Sequence, residues 1–372
     1  KMIRKEVMFE LYRHDRKQPA SLSANPVNAI YEDSRRTLWV GTVEGGLNKR
    51  NPDKKTFTHF RHERGRASSL SHDAVCFITE GDGYLWIATW GGGVNRMKLT
   101  DEGRFDPAAS FVDEGTFASA FISWIEYDDV LNGLWVATPK GLDYYDIAGR
   151  KVINVLSSFE PDGRPTPVSG ICLDSSRRLW IGTERGLHCF DLNRSDVKLG
   201  RMVSERCRVM SSERKLPCNE KVNCIFEAAD QSIWIGTYGN GLFRLAGRED
   251  NRYVFRNYDT DTGLSDNVIY GIEEDRQGTL WLSTNRGLSS FSPEKERATA
   301  YYVTDGLPNN QFYWVASEHT SEGKIMFGNV GGVVAFDPVV SQPDTSGLAV
   351  TIVGGRLYNE PVNPRALSDV WR

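Results

Sequence analysis

The chain has 372 residues, 40% hydrophobic and 11% aromatic, and a formal net charge of -4. So even a balance excludes the basic footprint of a nucleic-acid binder or an anionic-membrane binder. No window reaches the roughly 18 consecutive apolar residues that a membrane helix needs, and the first residues, from Lys1, do not form a signal peptide. A start without Met reads as a piece of a longer protein, so a missing leader says little about compartment.

In chain order, the first strand pattern is "VMFELYRHD" (7–15). Four segments follow: "NAIYED" (28–33), "LWVGT" (38–42), "GLNKRN" (46–51) and "TFTHFRH" (56–62). They are β-branched or aromatic and bounded by Gly, Asp, Asn and Pro, which marks strands joined by turns. We name the four strands a to d.

The second segment then recurs. "LWIATWGGGV" begins at 85, "LWVATPKGL" at 134, "LWIGTERGL" at 179, "IWIGTYGNGL" at 233 and "LWLSTNRGL" at 280. A degenerate copy, "IMFGNVGGV", begins at 325 with Met326 in the tryptophan slot. The steps between these slots are 47, 49, 45, 54, 47 and 45 residues. That period suits a four-stranded propeller blade and exceeds a leucine-rich or TPR unit. Helical periodicity is absent.

Segment 7–15 matches 56–63 in its aromatics, in its His14/His62 position and in the "SLS" that follows. The seventh group (311–338) has no outer strand of its own. The expected fold is therefore all-β, a seven-bladed propeller of four-stranded antiparallel blades over residues 1–338, its ring closed by the N-terminal strand. Residues 339–347 read as a Pro/Ser/Asp linker, and 348–372 as the beginning of a truncated domain.

Six cysteines (Cys76, Cys172, Cys189, Cys207, Cys218, Cys224) form no CxxC pair and no zinc spacing. Cys76, Cys172 and Cys224 lie in apolar runs and read as buried small residues. Only Cys207 and Cys218 flank a loop and are placed to pair in an oxidising compartment, a connectivity that sequence does not fix.

The unit formed by Val27, Ile30, Asp33, Leu38–Thr42 and Gly46–Leu47 resembles the two-component regulator propeller repeat. The final "GLPNNQFYWVASEHTSEGKIMFGNVGGVVAFDP" is similar to that family's degenerate last blade, and "LAVTIVGGRLYNEPV" to the first strands of the triple-tyrosine domain that follows it. The resemblance implies a second propeller in a periplasmic sensor region, anchored to the inner membrane by a protein whose cytoplasmic part is a histidine kinase. It also implies glycan sensing, homodimers, and contact with the adjacent propeller and the triple-tyrosine domain of the same chain. No nucleic-acid contact, no cofactor and no enzymatic activity are expected of this stretch, because the kinase domains lie outside it.

The chemistry-bearing residues are sparse. His14 and His62 share one repeat slot and read as structural, and His59, His72, His188 and His319 show no metal-ligand spacing. "DTDTG" (259–263) echoes a calcium loop, but its glycine comes too early and it reads as a d–a connection. Asp275 to Trp281 resembles a sialidase Asp box with altered spacing, a structural element. There is no GxSxG elbow. Gly91–Gly93 precede a strand rather than a helix, so they make a hairpin corner and not a phosphate loop.

Residues common to all blades serve the blade, whereas those differing at one exposed slot are free for function. The b–c turns carry Glu44, Trp90, Lys140, Arg185, Tyr238, Arg286 and Val330 in blades one to seven. Two aromatics and three basic residues on one face suit a sugar, with arginine available for a carboxylate or sulfate. The bland alternative is that charged turns are solvated and Trp90 packs on a neighbouring blade. Candidate ligand contacts are thus Trp90, Tyr238, Lys140, Arg185, Arg286 and Glu44, with 211–223 a second possible lip. The expected function is oligosaccharide sensing. The competing readings are a protein-interaction scaffold and a propeller glycan hydrolase or lyase, which needs paired carboxylates or a His/Tyr pair at the axis.

Overall fold

The computed structural model describes residues 8–99, 117–157, 164–197, 201–202, 204–205, 221–249, 252–338, 355–357 and 360–362. Blade 1 consists of Val27–Glu32, Leu38–Thr42, Leu47–Arg50 and Phe57–Phe60. Blade 2 shows Val75–Gly81, Tyr84–Thr89 and Gly93–Lys98, and the stretch where its outer strand is expected lies outside the described residues. Blade 3 is Trp124–Asp128, Gly133–Thr138, Gly141–Asp146 and Lys151–Leu156. Blade 4 is Val168–Leu173, Arg178–Thr183, Gly186–Asp191 and the short Ser204–Glu205. Blade 5 is Val222–Glu227, Ile233–Thr237, Leu242–Glu249 and Arg252–Tyr258. Blade 6 is Ile269–Glu274, Leu280–Thr284, Gly287–Ser292 and Arg297–Tyr301.

Blade 7 is built from both ends of the propeller. Phe312–His319, Ile325–Asn329 and Gly332–Phe336 are joined by Phe9–Tyr12, which pairs antiparallel with the third strand from Phe9↔Phe336 to Tyr12↔Val333. Each inner strand packs beside the next, and the seventh returns to the first. The fold is therefore a closed seven-bladed propeller, an arrangement that leaves only short, protected sheet edges.

The repeat's invariant residues explain the blade. Trp39, Trp86, Trp135, Trp180, Trp234 and Trp281 are all buried, as is Met326 in the seventh slot. They belong to apolar clusters that join neighbouring blades; one unites Trp39 and Leu47 with Val75, Ile78 and Leu85. Gly41 is small for a reason: a Cβ there would meet Val75 Cγ1 at 2.5 Å.

In blades 1, 3, 4 and 6 an aspartate ends the inner strand and shapes the a–b turn. Asp33 accepts the amides of Arg35 and Thr37 at 3.0 and 2.8 Å and the indole N–H of Trp39 at 2.8 Å. Asp174 and Asp275 do the same for Trp180 and Trp281, so the Asp-box echo is a structural clamp. Glutamates one residue earlier tie blades together: Glu80 holds the Ser34 amide and Glu227 the Ser175 amide, each in the preceding blade.

"DTDTG" forms a short 3-10 turn at Thr260–Thr262 ended by Gly263, matched by Val303–Asp305 and Gly306 one blade later. Both are d–a connections. His14 and His62 likewise hold their own loops, each Nδ1 lying 2.7 Å from the carbonyl of Leu22 or Leu70.

Cys76, Cys189 and Cys224 are buried, Cys172 is partly buried, and all four are free thiols. Burial pushes the Cys76 and Cys224 thiols up to about 12. Cys207 and Cys218 lie outside the described residues, as do the 339–347 linker and most of the 211–223 lip. Residues 7–339 form one compact unit. The other comprises 1–6 and 340–372, within which Gly355–Leu357 pairs with Glu360–Val362.

Candidate functional site

The site is built on the b–c turns. Each second strand ends in a buried threonine (asparagine in blade 7) whose side chain organises the corner. Thr138 Oγ donates to the Gly141 carbonyl at 3.1 Å and accepts the Lys140 amide at 3.1 Å. Thr183 and Thr284 repeat this with Gly186 and Arg185, and with Gly287 and Arg286. Blades 1, 2 and 5 insert one more residue, so Thr42, Thr89 and Thr237 reach Gly46, Gly93 and Gly241. Gly93 holds φ 70°, the left-handed region a glycine enters without strain.

The residue directly after the threonine continues the pairing toward the axis. The Trp90 amide donates to the Ala74 carbonyl at 2.8 Å, Tyr238 to Lys221 at 2.9 Å and Asn285 to Val268 at 3.1 Å. Trp90 and Tyr238 also bridge to Phe121 and Val268, which lead into the following blades. A residue here is pinned from two sides and overhangs the axial mouth.

Trp90, Pro139, Glu184 and Tyr238, all in this first position, line a 440 Å³ cleft at that mouth. Glu44, Lys140, Arg185 and Arg286 occupy the second turn position; they are exposed and are not among its lining residues. The structure thus brings together Trp90 and Tyr238 but not the four charged candidates. The reason is register: equivalence counts from the threonine, and the two turn lengths shift the charged residues outward.

The rest of the cleft comes from the inner strands. Among the described pairings, five of these strands carry a bulge just after their first apolar residue. A bulge leaves one residue unmatched and re-aims its side chain. Ser169, Asn223 and Tyr270 are such residues, and all three line the cleft, as does Ser123 of blade 3. Ser123 donates to the Val168 carbonyl at 2.6 Å and Asn223 to the Ile269 carbonyl at 2.9 Å, stapling each blade to the next. Their oxygens remain as acceptors.

Blade 7 departs furthest. Between Phe312↔Asn329 and Ser317↔Phe327, four inner-strand residues oppose one. This enlarged bulge delivers Tyr313, Trp314 and Val315 into the cleft. Trp314 has φ 53°, a strained backbone for a bulky side chain, and its Nε1 is buried without a partner among the described residues. Its ring lies 6.4 Å from both Trp90 and Tyr313, and Trp90 meets Phe121 edge-to-face at 5.3 Å. Lys221 Nζ sits 5.4 Å from the Tyr238 ring. Burial first, then the nearby Tyr238, Asp266 and Tyr313, raises the Tyr270 hydroxyl above its ordinary value. The charged members of the lining are Glu184 and Lys221, so the formal balance is zero.

Below the cleft, a 260 Å³ channel follows the axis between the inner strands, and Val315 borders both spaces. Glu126, Glu273 and Glu318 line it at one register level, opposite Trp135, Trp281 and Met326. Burial pushes Glu126 and Glu273 up to about 7; Glu318 is raised by burial, then by Glu273 and Glu32. Three carboxylates thus face the axis, a convergence that the repeat pattern does not single out. They occupy the channel and not the cleft. Among the described residues no group of three or more His, Cys, Asp or Glu is arranged to hold a metal.

The family model described as two component regulator propeller matches residues 21–44, 162–185, 215–239 and 263–286. Histidine kinase P4 of Formosa agariphila is 23% identical over 358 residues, covering 92% of this chain and 24% of that protein. The extracellular domain of BT4673 from B. thetaiotaomicron, attributed in one structure to a one component and in another to a hybrid two component system, superposes with TM-score 0.63. Its identity to this chain is 19% or 17%, over 88% of this chain and 39% of that one. Virginiamycin B lyase of Staphylococcus aureus, solved with quinupristin, gives 0.62 at 13% identity over 89% of this chain and 99% of that one. At these identities the likeness to solved structures is one of fold. The chain spans about a quarter of its histidine kinase relative.

Proposed function

We propose that this chain, built from two-component regulator propeller repeats, is a ligand-sensing domain of an extracytoplasmic, periplasmic region, and that its axial cleft takes an uncharged oligosaccharide. One observation carries this reading. Five aromatic side chains (Trp90, Tyr238, Tyr270, Tyr313 and Trp314) converge from four blades on one cleft. Between them stand the oxygens of Ser123, Ser169 and Asn223. A saccharide presents apolar C–H faces and hydroxyls together, which that mixture complements. A cleft with balanced charge favours a neutral ligand over an acidic one. Trp90 and Tyr238 are primary contacts, while Lys140, Arg185, Arg286 and Glu44 flank the same rim.

The similarity to a histidine kinase supports placing the domain in a signalling protein. In that protein a triple-tyrosine domain beginning near residue 348 and an adjacent propeller relay occupancy across the membrane, with two protomers as the responding unit. A ligand can drive such a change only through different affinities for two arrangements.

The test is a panel of neutral oligosaccharides followed by calorimetry and product analysis. Binding without product is expected, with Trp90→Ala and Tyr238→Ala each weakening it by about tenfold or more. A product of cleavage would assign the site to a hydrolase or lyase. Retained self-association with no glycan bound would favour the interaction scaffold, and binding indifferent to both substitutions would remove the cleft from the reading.

A further inference from the structure

A second cleft, of 730 Å³, opens beside the seam where the N-terminal strand closes the ring. It lies among d–a loops and a b–c turn, on the face that carries the axial cleft. Arg13, Arg16 and Lys17 line one side, directly after strand Phe9–Tyr12. Asn309, from the loop entering blade 7, and Asn329 and Gly331, at its b–c turn, line the other.

The molecule supplies its own comparison. Loop 13–18 and loop 61–66 begin alike, Arg-His-Asp-Arg and Arg-His-Glu-Arg, and both lead to Ser-Leu-Ser. They fold alike too. The His14 amide donates to Asn25 Oδ1 at 3.2 Å and the His62 amide to Asp73 Oδ1 at 2.6 Å. Ser21 Oγ accepts the Asp15 amide at 2.8 Å, and Ser69 Oγ the Glu63 amide at 3.0 Å.

Their charges are handled differently. In the second loop Glu63 holds Arg66 by two bonds of 2.8 and 3.0 Å, and Arg61 donates to the Ser23 carbonyl at 3.3 Å. In the first loop Gln18 replaces the matching arginine, and Asp15 accepts the Lys17 amide at 2.9 Å instead of a cation. The side chains of Arg13, Arg16 and Lys17 have no hydrogen-bond or ion-pair partner among the described residues.

Nearby positions have also lost carboxylates. Asn25 stands where the next loop has Asp73, and Asn309 where the preceding loop has Asp266. Three cations without a partner among the described residues thus share a cleft whose one lining carboxylate, Asp15, is engaged by the Lys17 amide, and at two walls of which an amide stands where another loop has an acid. That arrangement costs self-repulsion when empty and gains charge-assisted bonds when an anion enters.

We propose that this cleft is an anion-binding site, distinct from the axial cleft, whose ligand group is an oxyanion of the sulfate or carboxylate type. The planar guanidinium forks of Arg13 and Arg16 offer paired donors to two oxygens of such a group. Lys17 adds a point charge, and the amide of Asn309 adds hydrogen bonding from blade 7. Occupancy bridges the residues after the closing strand to the blade they close, so binding stabilises the ring by mass action.

The experiment titrates the 372-residue chain with sodium sulfate and, separately, sodium glucuronate, at constant ionic strength against sodium chloride. Thermal midpoint and heat of binding are followed. A rise above the chloride control is expected with one anion or both, and the responding arm identifies the group. Arg13→Glu/Arg16→Glu should weaken apparent affinity by about ten- to a hundredfold, the loss of one or two hydrogen bonds to charged groups. Arg13→Gln/Arg16→Gln should weaken it in the same direction and covers the case in which charge reversal disturbs closure. Arg64→Glu, the same charge change on the neighbouring loop, and Trp90→Ala should leave it within about twofold. No response above chloride, an unchanged response in the Arg13/Arg16 variants, or an equal loss in Arg64→Glu would each overturn the proposal. Loss in Trp90→Ala alone would place the anion in the axial cleft, which also overturns it.

Discussion

Blade 5 contains a defect that the other blades show how to repair. Its tryptophan, Trp234, is completely buried, yet its indole N–H has no acceptor among the described residues. In blades 1, 4 and 6 the same atom is held at 2.8–2.9 Å by the aspartate ending the inner strand. Blade 5 has Ala228 there, in a turn with the same backbone. The Ala228 amide reaches the Ser232 carbonyl at 2.9 Å, as Asp33 reaches Thr37 at 3.0 Å. Gln231 has φ 66° where Arg36 has 64° and Arg177 has 63°. Ala228→Asp therefore places a carboxylate where three others already fit, with one oxygen on Trp234 and the other on the turn amides. Satisfying a buried donor is worth about 1–3 kcal/mol, and hydrogen bonds to a charged acceptor lie at the upper end. Desolvating the new carboxylate offsets part of this, leaving a net gain of about 1–2 kcal/mol. For a propeller of this size that is a rise of roughly 1–3 °C in the unfolding midpoint by calorimetry. The reverse change, Asp275→Ala, makes the same orphan of Trp281 and should cost about 2–4 kcal/mol. A lower midpoint for a correctly folded Ala228→Asp protein would refute the reasoning.

The channel glutamates and the strained tryptophan yield two further expectations. Glu126 and Glu273 have folded-state values near 7, above their unfolded ones, so the stability they confer is full below about pH 4.5 and is lost as pH rises through 7. Glu126→Gln/Glu273→Gln should match the parent at pH 4.5 and exceed it by pH 8 in urea titrations; a constant difference across that range would refute the assignment. Trp314→Gly should be more stable than Trp314→Ala by about 1 kcal/mol, the inverse of the ordinary order, because φ 53° suits glycine. The same urea titrations decide it, and the ordinary order would show that the backbone there is unstrained.

The propeller was legible because its repeat states the same packing problem several times. A buried tryptophan, a following Gly or Ala and a threonine before the turn recur at one spacing, and each has a single physical task. Ring closure was legible for a similar reason: the 7–15 segment copies an outer strand and had no partner within its own blade. The short outer strand of blade 4 was not, since Ser204–Glu205 makes a two-residue pairing with no pattern to detect.

The site was half legible, and the missing half follows from how a bulge is written in sequence. Ser169, Asn223 and Tyr270 sit inside apolar runs where one unmatched residue leaves no mark on hydrophobicity. They become visible only when the ladder is counted. Blade 7 did carry a signal: eight positions separate Phe312 from Thr320, against six from Val27 to Asp33, so two residues are inserted in an inner strand. Those insertions bring an aromatic pair to the axis and force Trp314 into positive φ. The turns teach the same lesson. Trp90 and Tyr238 stood out as side chains that change while the frame stays fixed, but Lys140, Arg185 and Arg286 were grouped with them by distance from the glycine. Counted from the threonine, the matching residues are Pro139, Glu184 and Asn285, and the arginines stand outside the cleft lining. That change of one position separates the cleft, whose formal charge is balanced, from the charged turn residues around it.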